Sequence, residues 1–197
     1  MKCRKRMVAV LGLAVMAVCG GATPASAGLE GPPVLRWDIV SLTSGGVLLA
    51  GGSATSTSSA TGDTLTLTGT GQAEPAELEA AGGGRFVHRA KDGTVLTRGV
   101  YTVTGFKSFT PESGSLVGVG VVDAIGQLNE SHSGILTVRV AFWVHGKLAA
   151  RGVLRVFCAL PGAPAGLEEG VTASVQPVGS SVVLNFDEQE PDNGPTN

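Results

Sequence analysis

His88 is the side chain with the clearest potential for chemistry, because it falls among aromatic and polar neighbours on one strand face. Asp92-Gly93 is typical of a type I′ turn and predicts a hairpin around it. A two-residue loop there places Phe86, His88, Thr97 and Tyr101 on the same face, with His88 paired to Thr97. In a closed barrel these four residues would form a polar cluster in an apolar lumen, as in a small-ligand site. The simpler alternative is a core histidine that hydrogen-bonds Thr97 or Tyr101.

A second candidate surface lies on the longest predicted hairpin. Its solvent face carries Arg139, Arg151 and Arg155 together with Trp143. Guanidinium groups bind anionic partners, and an exposed tryptophan favours contact with a carbohydrate or a protein. An ordinary solvated sheet face is the alternative interpretation.

Catalytic and metal-binding motifs are not found in the sequence. It contains no G-x-S-x-G, H-E-x-x-H, Walker or dinucleotide-binding pattern. Its three histidines are scattered, and no cysteine pair supports a zinc site. A general base at His88 would need a carboxylate or a hydroxyl within hydrogen-bond reach, and Asp38 and Asp123 are the acids on predicted strands. We therefore assign no catalytic residue, metal or cofactor, and the pattern favours a protein that is not an enzyme.

The longest hairpin, 134–160, consists of two alternating runs joined at His145-Gly146-Lys147. A three-residue loop pairs Val144 with Leu148, Phe142 with Ala150 and Val138 with Leu154, which makes one face wholly apolar. A two-residue loop at Gly146-Lys147 would instead place arginines beside core residues. The face pattern therefore selects the longer loop.

Other segments are predicted from their local patterns. Strands are expected at 34–42, 47–50, 64–68, 115–122, 170–175 and 180–186. The Gly/Ser/Thr-rich segment 51–62 is most simply a surface loop, with an edge strand or a glycosylated stretch as alternatives. Segment 74–81 is helix-like, and the three glycines that follow it predict a turn.

The first residues have the features of an export signal. Four basic residues precede an apolar run, and Ala25-Ser26-Ala27 is a small-x-small cleavage site, so 1–27 is predicted to be a signal peptide. Its removal leaves 10 basic and 16 acidic residues, a charge that argues against nucleic-acid binding. One cysteine, Cys158, remains, so no disulfide forms within the mature chain. No segment is long enough for a membrane-spanning helix.

Together these features predict a secreted all-β domain, extracellular or periplasmic and of bacterial origin. The domain spans 28–186 as an antiparallel β-barrel, or alternatively a β-sandwich, of about nine or ten strands, and 187–197 form a disordered acidic tail. The bent, glycine-rich strands resemble those of small barrels such as lipocalin-like and allene-oxide-cyclase-like proteins, in architecture alone. The first function hypothesis is a binding protein with a small apolar ligand in the lumen. The second is a surface module that binds a cell-envelope glycan or protein through its Arg/Trp face.

Overall fold

The computed structural model describes residues 34–189, which are almost entirely β-structure. No α-helix occurs in this range, and Leu128–Glu130 forms one 3-10 turn. Within 34–189 no helix is long and apolar enough to cross a membrane. The strands are, in chain order, β1 (Leu35–Asp38), β2 (Val40–Leu42), β3 (Val47–Ala50), β4 (Ala54–Thr57), β5 (Thr64–Leu67), β6 (Thr70–Glu74), β7 (Glu79–Arg89), β8 (Val95–Glu112), β9 (Val122–Asp123), β10 (Ser133–Val144), β11 (Lys147–Cys158), β12 (Gly170–Pro177), β13 (Leu184–Phe186) and β14 (Glu188–Gln189).

The main sheet is antiparallel and nearly closed, in the order β13-β12-β11-β10-β8-β7-β5-β4-β14, with β6 and then β1 added beside β7. The C-terminal segment 184–189 brings the two ends together, because Phe186 pairs with Ala173 in β12 while Glu188 pairs with Thr57 in β4. A smaller sheet contains β2, β3 and β9. The prediction of an antiparallel all-β barrel is therefore confirmed.

The barrel interior is filled by alternate side chains of the strands. On β10, Leu136, Val138, Val140 and Phe142 are each at most 4% exposed. Their burial follows from the period-two alternation of a strand, which points every second side chain inward. Burying each large aliphatic or aromatic side chain contributes about 1.5–3 kcal/mol relative to leaving it in water. Phe142 contacts the ring of Phe86 edge to face, with 5.1 Å between the ring centroids.

The register of the β10–β11 hairpin is the predicted one, but its turn is not. Val138 pairs with Leu154 and Phe142 with Ala150, as the face pattern requires. Val144 pairs with Lys147 rather than Leu148, so the loop is the two-residue His145-Gly146. Both loop residues have positive φ, 49° and 74°, as a type I′ turn needs. A bulge at Phe142/Trp143 absorbs the one-residue difference and keeps the apolar face inward.

The β7–β8 hairpin shows the opposite difference. His88 pairs with Thr97, as predicted. At the tip, however, Ala90 N–H donates to Thr94 O at 2.8 Å, which leaves the three-residue loop 91–93. Asp92 has no positive φ, so the predicted type I′ turn is wrong. A register shift between His88 and Arg89 again restores the pairing that the side-chain pattern favours.

The helix predicted at 74–81 and the turn predicted at the following glycines are both wrong. Glu74 and Glu79 pair across a hairpin whose turn lies between them, and 82–84 continue inside β7. Here β7 changes partner from β6 to β5, and a Cβ on Gly84 would clash with Thr68 O. Cross-strand pairing thus overrides the local helical preference, and glycine permits the close approach.

Two further expectations are corrected by backbone conformation and pairing. The strand predicted at 115–122 is absent except at Val122–Asp123, because Gly118 and Gly120 have φ of +82° and +75°, which an extended strand cannot contain. The segment 51–62 is not simply a surface loop. It contains β4, which pairs with both β5 and β14, and Ser56 in that strand is fully buried.

The ends of the predicted domain fall partly outside the described residues. The last predicted strand is shorter than expected and covers Leu184–Phe186. Asp187 to Gln189, which we expected in the disordered tail, continue the sheet along β4. The proposed signal peptide 1–27 and residues 190–197 lie outside the described residues.

Candidate functional site

The three arginines and Trp143 form one continuous outward surface, which we call the arginine face. The register places Trp143 opposite Leu148, Arg151 opposite Ala141, Arg139 opposite Val153 and Arg155 opposite Thr137. All four side chains share the outward parity of β10 and β11, because their strand neighbours fill the core. The predicted grouping of these residues therefore corresponds to a real surface of the barrel.

Two members of the arginine face are held by the neighbouring strand β8. Arg139 Nη1 donates to Phe106 O at 3.1 Å, beside an irregularity in the β8–β10 ladder. Trp143 Nε1 donates to Thr102 Oγ1 at 3.1 Å, which fixes the indole against the outer side of β8. These bonds limit the rotamers that both side chains can adopt.

The other two arginines have no protein partner within residues 34–189. Arg151 and Arg155 are exposed, and neither guanidinium group has a hydrogen bond or ion pair with another described residue. Both guanidinium groups thus keep all their donors available to solvent or to a ligand.

Charge is strongly segregated on this side of the barrel. Strands β8, β10, β11 and β12 contain six basic residues and one acidic residue, Glu112, which is the last residue of β8. The basic residues are Arg98, Lys107, Arg139, Lys147, Arg151 and Arg155. The whole chain has a net charge of −2, so the charge of this surface is opposite in sign to that of the chain as a whole.

The predicted interior cluster is only partly brought together. Phe86 and Tyr101 are buried, and both rings pack against Phe142. His88 faces Thr97 across the ladder, but its Nε2 lies 3.3 Å from Asp63 Oδ2. Its ring also meets Phe186 edge to face at 5.3 Å.

Sequence reasoning missed both partners of His88. Asp63 immediately precedes β5, and Leu65 of that strand pairs with His88, so only the β5–β7 pairing could have revealed the contact. Phe186 comes from the C-terminal segment, about a hundred residues away along the chain. The acids that we considered for a general base are engaged elsewhere: Asp38 pairs with Arg36, and Asp123 accepts from the N–H of Ile125.

Tyr101 carries a buried polar atom without a partner. Its hydroxyl has no hydrogen-bond partner within the described chain, and the residue is 1% exposed. Burial raises the pKa of the phenol well above its usual value of 10.0, so the group is neutral and remains a donor. A Cβ on Gly69 would overlap this hydroxyl, which shows that the ring lies directly on the backbone of the neighbouring strand.

Two concave sites in the described chain lie away from this cluster. A cavity of about 50 Å³ lies between 38–40 and the ends of β11 and β12. An open groove of about 360 Å³ lies between the β6–β7 hairpin and β8. Neither is lined by Phe86, His88, Thr97 or Tyr101. Within 34–189, no group of three or more His, Cys, Asp or Glu side chains is arranged to hold a metal ion.

Comparison with known proteins finds no match. No protein-family model matches the chain, and neither a curated protein nor a solved structure is significantly similar to it.

Proposed function

We propose that this chain is an exported, non-enzymatic binding domain that holds an anionic glycan on the arginine face. The observation that carries the proposal is the pair of exposed, unpartnered guanidiniums of Arg151 and Arg155 beside the fixed indole of Trp143. Natural surfaces usually intersperse charges of both signs, so a sheet side with six basic residues and one acid favours a partner of opposite charge.

Arginine rather than lysine suits an anionic partner on this face. A guanidinium offers a planar set of donors that matches carboxylate, sulfate or phosphate oxygens in pairs. Arg139 already uses one donor on Phe106 O, which anchors its side chain while other N–H groups remain free. The face can therefore combine a fixed cation with two cations that adjust to the partner.

A glycan fits the surroundings of these arginines better than an acidic protein does. Beside Trp143 lies the apolar Val100, but five outward neighbours on β8 and β12 carry a hydroxyl or an amide, which suits hydrogen bonding to sugar hydroxyls. They are Thr102, Ser108, Thr172, Ser174 and Gln176. The indole of Trp143 offers an aromatic surface for a sugar ring at one end of the face.

The test is calorimetric titration of the exported chain with heparin, with polygalacturonate and with neutral dextran. We expect binding to both polyanions, weakening at high salt, and none to dextran. Arg151→Ala and Trp143→Ala should each weaken binding about tenfold, which corresponds to ~1.4 kcal/mol. Arg89→Ala is the matched control. It removes the same charge from the last residue of β7, which is not part of the arginine face, and should change affinity less than about twofold.

Three results would contradict this proposal. The first is no binding of either polyanion by the wild-type chain. The second is equal weakening by Arg89→Ala and Arg151→Ala, which would indicate non-specific charge attraction. The third is tighter binding of polyglutamate than of either glycan, with the same dependence on Trp143, which would indicate an acidic protein partner instead.

A small apolar ligand in the barrel lumen is the second candidate function, and its entry would require core side chains around Tyr101 to move, because neither concave site within 34–189 is lined by the predicted cluster. It is favoured by the unpartnered Tyr101 hydroxyl, since buried polar groups normally have a hydrogen-bond partner. Native mass spectrometry of the chain purified from its own host tests it. A co-purifying small molecule would support the lumen site, and loss of that mass in Tyr101→Phe would place the ligand there.

Export is proposed from the pattern of 1–27. N-terminal sequencing of the chain recovered outside the cytoplasm should begin at Gly28. Recovery of an intact Met1 terminus in the cytoplasm would contradict it.

A further inference from the structure

We infer that the glycan is a linear polyanion lying along β10 and β11, in contact with a ladder of four side chains in the order Trp143, Arg151, Arg139, Arg155. This inference rests on the proposed function and adds the shape, direction and minimum length of the partner. It follows from the register of the hairpin, which sets where each of these side chains stands along the sheet.

Each of the four side chains occupies its own level of the ladder. Trp143 lies at the level of Leu148, Arg151 at Ala141, Arg139 at Val153 and Arg155 at Thr137, so successive levels are two residues apart. At about 3.4 Å per residue, neighbouring levels are separated by roughly 7 Å, and the four levels span roughly 20 Å. The members alternate between β10 and β11, which are about 4.8 Å apart, so they form a narrow zigzag.

No acidic side chain interrupts this ladder. On the β8 side its four levels meet Val100, Thr102, Gly105 and Ser108, and on the β12 side the three arginine levels meet Gln176, Ser174 and Thr172. A chain of repeating negative charge can therefore lie along the strands without meeting a carboxylate of the face. A compact anion, by contrast, reaches at most two adjacent levels, since its charges lie within a few ångströms of one another.

Trp143 defines one end of the ladder. Its Nε1 bond to Thr102 holds the indole against the sheet, so a sugar ring placed there loses little further side-chain freedom. A short oligosaccharide should therefore bind at this end, using Trp143 and Arg151. Only a longer chain reaches Arg155, the last level.

The experiment is calorimetric titration with a length series of heparin oligosaccharides, from the disaccharide to the dodecasaccharide, against wild type, Arg151→Ala, Arg155→Ala and Arg89→Ala. Affinity should rise steeply with length until the oligosaccharide covers all four levels, and only slightly afterwards. Arg151→Ala should weaken every length. Arg155→Ala should weaken the longest oligosaccharides about tenfold and leave the shortest binding oligosaccharide within about twofold of wild type. Arg89→Ala should follow wild type throughout.

The ladder and the proposed function fail in different ways. If Arg155→Ala weakens all lengths equally, or none, while Arg151→Ala still weakens binding, the ladder is wrong and the glycan-binding face stands. If wild type binds no oligosaccharide of any length and no polyanion, the proposed function itself is wrong. Thermal unfolding of each variant checks that it is folded, and these exposed substitutions should move the midpoint little.

Discussion

Tyr101→Phe is expected to make the protein more stable, because it removes a buried hydroxyl that has no hydrogen-bond partner within the described chain. The residue is 1% exposed, and its ring packs against Phe142 with 6.0 Å between centroids. Phenylalanine keeps that ring and deletes the oxygen alone. The substitution therefore isolates the cost of the unpaired polar atom.

The size of the effect follows from two opposing contributions. Burying an unpaired hydroxyl costs about 1–3 kcal/mol by protein mutational data. Deleting the oxygen leaves a void of roughly 10 Å³, which costs a few tenths of a kcal/mol at ~24 cal/mol per Å³. The net gain is about 1–3 kcal/mol. In a domain of this size that corresponds to a rise in Tm of roughly 2–12 °C.

Urea unfolding followed by tryptophan fluorescence measures this difference directly. Tyr101→Leu is the control, because it removes the ring as well and should lower the free energy of unfolding by several kcal/mol, about 2–4. If Tyr101→Phe is instead less stable than wild type by about 1 kcal/mol or more, the hydroxyl has a partner in solution. That result would contradict an unpaired hydroxyl at Tyr101 and would support a bound molecule beside it.

Three further predictions test the packing, the C-terminal contact and the thiol. Gly84→Ala should lower the free energy of unfolding in urea by about 3 kcal/mol or more, because the added Cβ would clash with a backbone oxygen. Gly105→Ala in β8 is the control and should change this free energy little. Equal effects of the two substitutions would contradict the prediction. Hydrogen bonds from the backbone N–H and the hydroxyl of Ser59 lower the pKa of Asp187 below its usual 3.8. The free energy of unfolding by which wild type exceeds Asp187→Asn should therefore be complete above pH 3.8 and should shrink as the pH falls through the native pKa. A difference in urea midpoints that does not change with pH would contradict this. Partial burial first, and the charge of Glu169 second, raise the pKa of Cys158 to about 12, so the native thiol should react with Ellman's reagent at neutral pH far more slowly than the thiol of the unfolded chain; equal rates would contradict the raised pKa.

The two hairpins show which part of the fold was predictable. Register followed from the alternation of apolar and polar residues, because a slip of one residue would carry every core side chain to the solvent face. The turns were both assigned wrongly: a two-residue loop stands where we expected three residues, and a three-residue loop stands where we expected two. In each hairpin a one-residue shift beside the turn reconciles the loop with the register. The buried face therefore determines the pairing, and the loop adjusts to it.

The remaining errors came from interactions between distant parts of the chain. The glycines at 82–84 have the local signature of a turn, yet they lie in a strand because β7 must change partner there. Ser56 belongs to a low-complexity segment but is buried by β5 and β14 on either side. His88 was recognised as facing inward, while its partners Asp63 and Phe186 depend on strand order, which local patterns do not contain.

The indole N–H signals of the two tryptophans give the most direct test of the arginine face. Trp143 lies on that face, and Trp37 is buried in the core at 7% exposure. Titration of the ¹⁵N-labelled protein with a heparin oligosaccharide should shift the Trp143 signal progressively and leave the Trp37 signal in place. A shift of the Trp37 signal with Trp143 unchanged, or no shift of either at saturating oligosaccharide, would contradict binding on the outer sheet.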